Sequence, residues 1–187
     1  CQSPISGQYF FSELITGLVF LGIYWFYLLP NFSLSFLFFI SAFLYFYLAA
    51  VLIAIFLSDL FYWTIPDQIT FPAIIIFLVW NIIQAQWLAV LAGLSGLIFF
   101  LFLVFITKSK GMGLGDVKLV ALMGLFLGFS KLIVALYLAF LTGAILGVIL
   151  ILTKRKKMGS RIPFGPFLVL AAFIALLWGD KIWQFFL

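Results

Sequence analysis

The chain has no histidine and a single cysteine, Cys1, among its 187 residues. The first absence removes imidazole as a general base or metal ligand, and with it Ser-His-Asp triads, rhomboid-type serine chemistry and His-Glu-x-x-His zinc proteases. The second excludes a disulfide within the chain, and one thiol cannot assemble a structural zinc site, so no metal site is expected. Acidic residues are scarce as well: five stand against ten Lys and Arg, in a sequence that is 67% hydrophobic and 8% charged. A mean hydropathy of +1.37 leaves too little polar surface for a water-soluble domain of this size and points to a polytopic membrane protein. The net charge of +5 is no sign of nucleic acid, because the cations sit in loops between apolar runs, where membrane topology is their usual cause.

Apolar runs are what the chain has in abundance. Such uniform hydrophobicity defeats helical periodicity as a guide, so segment length, proline and charge must place the spans. They fall at about 13–29, 34–57, 69–83, 88–107, 117–129, 132–153 and 164–178, seven in all. Pro30-Asn31 closes the first, Thr70 and Pro72 open the third, and Lys154 to Arg161 ends the sixth. Barrel strands would alternate over short segments, which these do not, so the expected fold is an all-α transmembrane helical bundle. Alternating the spans collects Lys108, Lys110, Lys118, Lys154, Arg155, Lys156, Lys157 and Arg161 on one side and leaves Lys131 and Lys181 opposite. The positive-inside rule makes the first side cytoplasmic and the topology N-in/C-out. Cys1, with no Met before it, and the polar stretch to Ser12 read as the remnant (1–12) of a cytoplasmic loop in a longer chain, followed by one membrane domain over 13–187.

In this setting a carboxylate is costly unless it is used or paired. Glu13 and Asp180 lie at span edges, where water reaches them; Asp59, Asp67 and Asp116 fall at cytoplasmic ends of spans. Asp116 precedes Val117-Lys118-Leu119-Val120 and would make an ordinary helix N-cap, and Asp67 reads as structural in the same way. Asp59 differs. It closes a long apolar run, where the helix dipole disfavours a carboxylate, and no cation lies within several residues, so it reads as functional. Paired with Asp116 it has a chemistry: two carboxyls sharing one proton can hydrolyse a peptide bond, the ionised member drawing a proton from water while the neutral member polarises the carbonyl. The helix start at Asp116 favours its ionised form and suggests Asp59 as the neutral partner. Gly111, Gly113 and Gly115 clear side chains from around Asp116, so that an extended substrate backbone could approach; a plain interhelical loop would account for them equally.

The run Gly111-Met112-Gly113-Leu114-Gly115-Asp116-Val117-Lys118-Leu119 resembles the second aspartate motif of the type IV prepilin peptidases, membrane aspartyl proteases of the GxGD type. Ser58-Asp59-Leu60 to Ile65-Pro66-Asp67 is similar to their first aspartate motif, and Pro163-Phe164-Gly165-Pro166 to their Pro-Phe-Gly-Pro segment. Cys1 to Gly17, with Pro4-Ile5-Ser6, Tyr9 and Glu13-Leu14, resembles the end of their cytoplasmic loop. A lone GxGD is a weak signal, but four segments in order over nearly the whole chain are a specific one. The resemblance implies an inner-membrane enzyme that removes the basic leader from prepilins, or from pseudopilins of type II secretion, at the cytoplasmic face. It makes Asp59 and Asp116 the catalytic pair and Gly111, Gly113, Gly115, Lys118, Pro66, Asp67, Pro163, Gly165 and Pro166 supporting motif residues. It also implies that proteolysis needs no cofactor, whereas S-adenosylmethionine and zinc would belong only to the full-length protein. The family's cysteine pairs are reduced here to Cys1, so methyl transfer is not expected of this chain. A presenilin-like protease would carry Tyr-Asp and Pro-Ala-Leu motifs, but Ser58 precedes the first aspartate and Pro163-Phe164-Gly165 takes the later place. The alternative is a transporter or assembly subunit whose carboxylates carry protons or ions.

Overall fold

The computed structural model describes residues 7–30, 32–108, 112–154 and 163–186. Cys1, Pro4, Lys110, Gly111 and the basic residues from Arg155 to Arg161 lie outside them. Among the described residues all regular secondary structure is helical: α1 (Gly7–Ile23) running into a π-helical turn (Tyr24–Leu28), then α2 (Phe36–Tyr62), α3 (Asp67–Ile83), α4 (Trp87–Thr107), α5 (Leu114–Leu152) and α6 (Gly165–Phe186). The Leu29 N–H donates to the Tyr24 carbonyl at 2.9 Å, the wide i→i+5 bond that defines the π turn.

Four helices, α2, α4, α5 and α6, are long and apolar enough to cross a bilayer, as expected of a multi-pass membrane protein. Two further apolar stretches, Ser12–Phe26 and Asp67–Ile83, are shorter, so among the described residues length and composition support four helices, with α5 counted once, and not the seven spans expected. Several ends move as well. Helix α1 begins at Gly7, inside the stretch expected to be a loop, and α6 carries Asp180 and Lys181 as helical residues. The expected spans 117–129 and 132–153 form a single helical element, α5, whose regularity fails only at Gly128 (φ 72°, ψ −178°), a conformation that essentially only glycine adopts.

The chain falls into two compact units, Cys1–Ala54 and Ile55–Leu187. In the first, the rings of Phe20 in α1 and Phe46 in α2 pack with their centroids 5.1 Å apart. The second holds the end of α2 and all of α3 to α6.

Within the second unit α5 folds back on itself. A methyl group placed on Gly96 of α4 would lie 2.9 Å from Val120 Cγ1 and 3.3 Å from Leu132 Cδ2, so these two side chains converge on one point. In a straight helix twelve residues span about 18 Å, which forbids that convergence. The turn at Gly128 therefore divides α5 into two legs. The first leg packs on α4 through glycine: a methyl on Gly124 would come within 2.5 Å of the Gly93 backbone. Such contact depends on small residues, since in lipid helix association rests on close packing and polar contacts. The second leg runs beside α6 with its order reversed, Gly143 lying against Phe164 and Lys131 pairing with Asp180 at 2.8 Å. Buried Asn81, near the end of α3, donates from Nδ2 to the carbonyls of Phe77 and Leu125, both at 2.8 Å. In an unbroken helix Leu125 would bond the N–H of Phe129, across Gly128, so Asn81 supplies a donor where the turn disturbs the ladder.

These contacts give the second unit two ends. Asn81, Leu125, Lys131 and Asp180 meet at one; Asp59, Ile65, Asp67, Asp116, Lys118 and Gly165 meet at the other.

Candidate active site

Asp59 lies in the last turn of α2, not beyond it, and its carbonyl accepts the N–H of Trp63 at 3.1 Å. Ser58 Oγ donates to the carbonyl of Thr64 at 2.8 Å, folding the connection to α3 back over the helix end. That connection places Ile65 against Gly115: a methyl on Gly115 would lie 3.0 Å from Ile65 Cβ. Gly115 therefore admits Ile65, and its bareness serves packing. Gly113 is the more open position, exposed, with nothing nearer to a methyl there than the Gly115 nitrogen at 3.8 Å and Asp116 Oδ2 at 3.9 Å. Of the three glycines expected to clear room for a substrate backbone, Gly113 stands open, Gly115 is filled by Ile65, and Gly111 lies outside the described residues.

Asp116 is not itself the N-cap of α5. Gly113 holds that position, and Asp116, three residues on, reaches back so that its Oδ2 accepts the Gly113 N–H at 3.1 Å. This is half of a capping box, since glycine has no side chain to reciprocate. The carboxylate thus sits in the positive field of a helix start.

No cation stands near Asp59 in sequence, and the partner it finds in the structure is a backbone N–H. Its Oδ2 accepts the N–H of Gly165 at 2.9 Å, so the C-terminal end of α2 meets the N-terminal end of α6. The carboxylate that its own helix dipole disfavours is held at the favourable pole of another. That partner, 106 residues away in sequence, is absent from any local window.

Asp59 and Asp116 are both buried, at 6% and 8% exposure, and close enough for the charge of one to act on the other. Each therefore offers a carboxyl group anchored through Oδ2 to a glycine N–H and shielded from bulk solvent. Asp67 stands apart. It is half-exposed and forms an ion pair with Lys118, whose ammonium also lies 5.0 Å from the centre of the Phe71 ring. The pair ties the start of α3 to the first turn of α5, beside Asp116 but not within the pair of buried acids. Pro66 caps α3 in an extended conformation and accepts the Thr70 hydroxyl at 2.8 Å. Pro163 and Pro166 bracket Phe164 and Gly165 at the start of α6. Phe164 packs its ring 5.2 Å from Phe140, which in turn lies 6.0 Å from Phe100, so an aromatic row fixes this turn against both α4 and α5. Ile65 and Phe164 lie within the motif segments but are not singled out there as site residues, and nothing local in the sequence marks Phe140 as site-forming.

The sequence profile of the Type IV leader peptidase family matches residues 46–148, which include both buried aspartates. The chain is 36% identical over 194 residues to a prepilin leader peptidase/N-methyltransferase of Aeromonas hydrophila, covering 100% of this chain and 64% of the relative. Proteins of the same name from Legionella pneumophila (33% identical over 189 residues) and Neisseria gonorrhoeae (31% over 192) are covered to 63% and 62% of their lengths, by 97% and 98% of this chain. The chain thus spans somewhat less than two thirds of these curated relatives. No solved structure matches it.

Proposed function

The chain belongs to the type IV leader peptidase family, and from that premise we propose that it is the membrane part of an aspartyl endopeptidase that cuts the basic leader from type IV prepilins or type II secretion pseudopilins. One observation carries the proposal: two buried carboxylates, brought from separate helices within each other's field, each held by one glycine N–H. In the proposed reaction Asp59 and Asp116 share a single proton. The ionised carboxylate takes a proton from water as the water oxygen bonds to the scissile carbonyl carbon, while the protonated partner hydrogen-bonds and then protonates the carbonyl oxygen. As the resulting diol collapses and the C–N bond breaks, the ionised carboxylate takes the proton of one diol hydroxyl while the protonated acid gives its proton to the leaving amine, so the pair ends as it began, with one shared proton. Each acid accepts one glycine N–H, so these hydrogen bonds mark neither as the neutral member of the pair. Gly113 offers an approach for the substrate backbone beside Asp116, and Asp67 with Lys118 supports the helix starts.

The proposal places the carboxylate end at the cytoplasmic face of the inner membrane, N-in/C-out. Lys108, Lys118 and Lys154 lie toward that end of the second unit and Lys131 and Lys181 toward the other, which supports the orientation. The proteolytic step uses no cofactor here, and S-adenosylmethionine and zinc enter the proposal only for the full-length protein. The test is leader cleavage of a purified prepilin by full-length protein in detergent. Asp59→Asn and Asp116→Asn should each abolish the shorter product, and full cleavage by either variant would refute the pair. A proton- or ion-handling subunit would instead show no cleavage by the wild type.

A further inference from the structure

The first turn of α6 presents an outward donor at Gly165. Pro166 has no N–H, and the N–H groups of Phe167 and Leu168 both turn back to the Phe164 carbonyl, at 3.1 and 3.2 Å. Gly165 directs its N–H away from the helix, and that N–H meets Asp59 Oδ2. The same residue is barred from carrying a side chain, because a methyl there would lie 2.6 Å from Asp59 Oδ2 and 3.2 Å from Asp59 Cβ. Behind it, Phe164 rests on Gly143 of α5, where a methyl would meet the ring at 3.3 Å, so the turn has little freedom to retreat.

We propose that Gly165 is a positioning residue for the hydrolytic step: its N–H fixes Asp59 Oδ2, leaving Oδ1 to exchange the proton, and its missing side chain lets the carboxyl reach that donor. This rests on the proteolytic function proposed above. Gly165 touches neither water nor scissile bond in this scheme and acts only through Asp59.

The experiment compares full-length wild type, Gly165→Ala, and a variant in which Gly165 is replaced by glycolic acid, so that a backbone ester removes the N–H without adding a side chain. Gly17→Ala serves as control, since nothing lies within 4 Å of a methyl at Gly17. With a prepilin substrate, both Gly165 variants should lower kcat by about ten- to a hundredfold, the usual effect of losing a hydrogen bond to a charged group, with KM within about twofold of wild type. Their pH–rate profiles should change shape, while the ester variant and Gly17→Ala keep the thermal unfolding midpoint. An ester variant with wild-type kcat and pH profile would overturn the proposal. So would loss of the folded state in both Gly165 variants, which would make the glycine structural. Failure of the underlying proteolytic reading looks different: an inactive wild type, or an active Asp59→Asn, removes that reading and this inference together.

Discussion

Asp67 and Lys118 neutralise one another close to the buried acids, and the partly exposed setting of the pair, with the Asp67 side chain at 56%, limits what it contributes. Exposed ion pairs of this kind are worth about 0–1 kcal/mol. Asp67→Asn should therefore shift stability in detergent by no more than about 1 kcal/mol and leave measurable leader cleavage, in contrast to Asp59→Asn. Complete loss of product with Asp67→Asn would make it part of the reacting set. The glycines beside Asp116 separate in the same way. Gly113 has an extended backbone (φ −90°, ψ 159°) that any residue can adopt, so Gly113→Ala should unfold with the wild type. Gly115→Ala drives a methyl onto Ile65 Cβ, an atom fixed to a connection that Ser58 pins. Overpacking of this kind costs about 1–3 kcal/mol, against about 1 kcal/mol gained from helix propensity, so Gly115→Ala should have the lower midpoint of the two. The sequence makes both glycines visible and assigns them one purpose; it takes Ile65, fifty positions upstream, to tell them apart.

Helix α5 depends on two positions that hydropathy does not single out. Gly124 is the point where the first leg touches α4, backbone against backbone, and no side-chain movement can make room there. Gly124→Ala should cost about 1–3 kcal/mol or more, seen as a lowered unfolding midpoint that Gly17→Ala does not share. Asn81 is the other. Asn81→Leu keeps the volume but removes the donor from the Leu125 carbonyl, and a buried acceptor left unpaired costs about 1–3 kcal/mol. An unchanged midpoint would mean that another group satisfies this carbonyl. Span lengths alone suggested a break near residues 130–131, close to the turn, but Gly128 is one of fifteen glycines and only its left-handed backbone distinguishes it. Asn81 was invisible for a related reason: a lone amide inside an apolar run has meaning only once the carbonyl it faces is known.

For the whole molecule the testable quantity is sidedness. In a Cys1→Ser background, single cysteines at Lys108 and Lys154 should react with a membrane-impermeant thiol reagent only after the cytoplasmic side is exposed, while cysteines at Ala85 and Lys181 should react in intact cells. The reverse pattern would overturn the orientation without touching the fold. The class of fold and the two candidate acids were legible because a membrane makes charge expensive, so each carboxylate stood out in a hydrophobic text. The partner of Asp59 was not, because a backbone N–H has no letter of its own and this one arrives from the last helix.

That late arrival has a bearing on how the protein is made. The acids and the amide of the candidate site come from positions 59, 116 and 165, in the order in which the ribosome delivers them to the membrane. A nascent chain inserted as far as Thr107 carries Asp59 without its opposite number, and one inserted as far as Leu152 carries both acids without the donor that steadies the first. On the proposed function the candidate site is therefore completed only when α6 has joined the bundle, and chains inserted no further than α5 hold both acids without the Gly165 N–H.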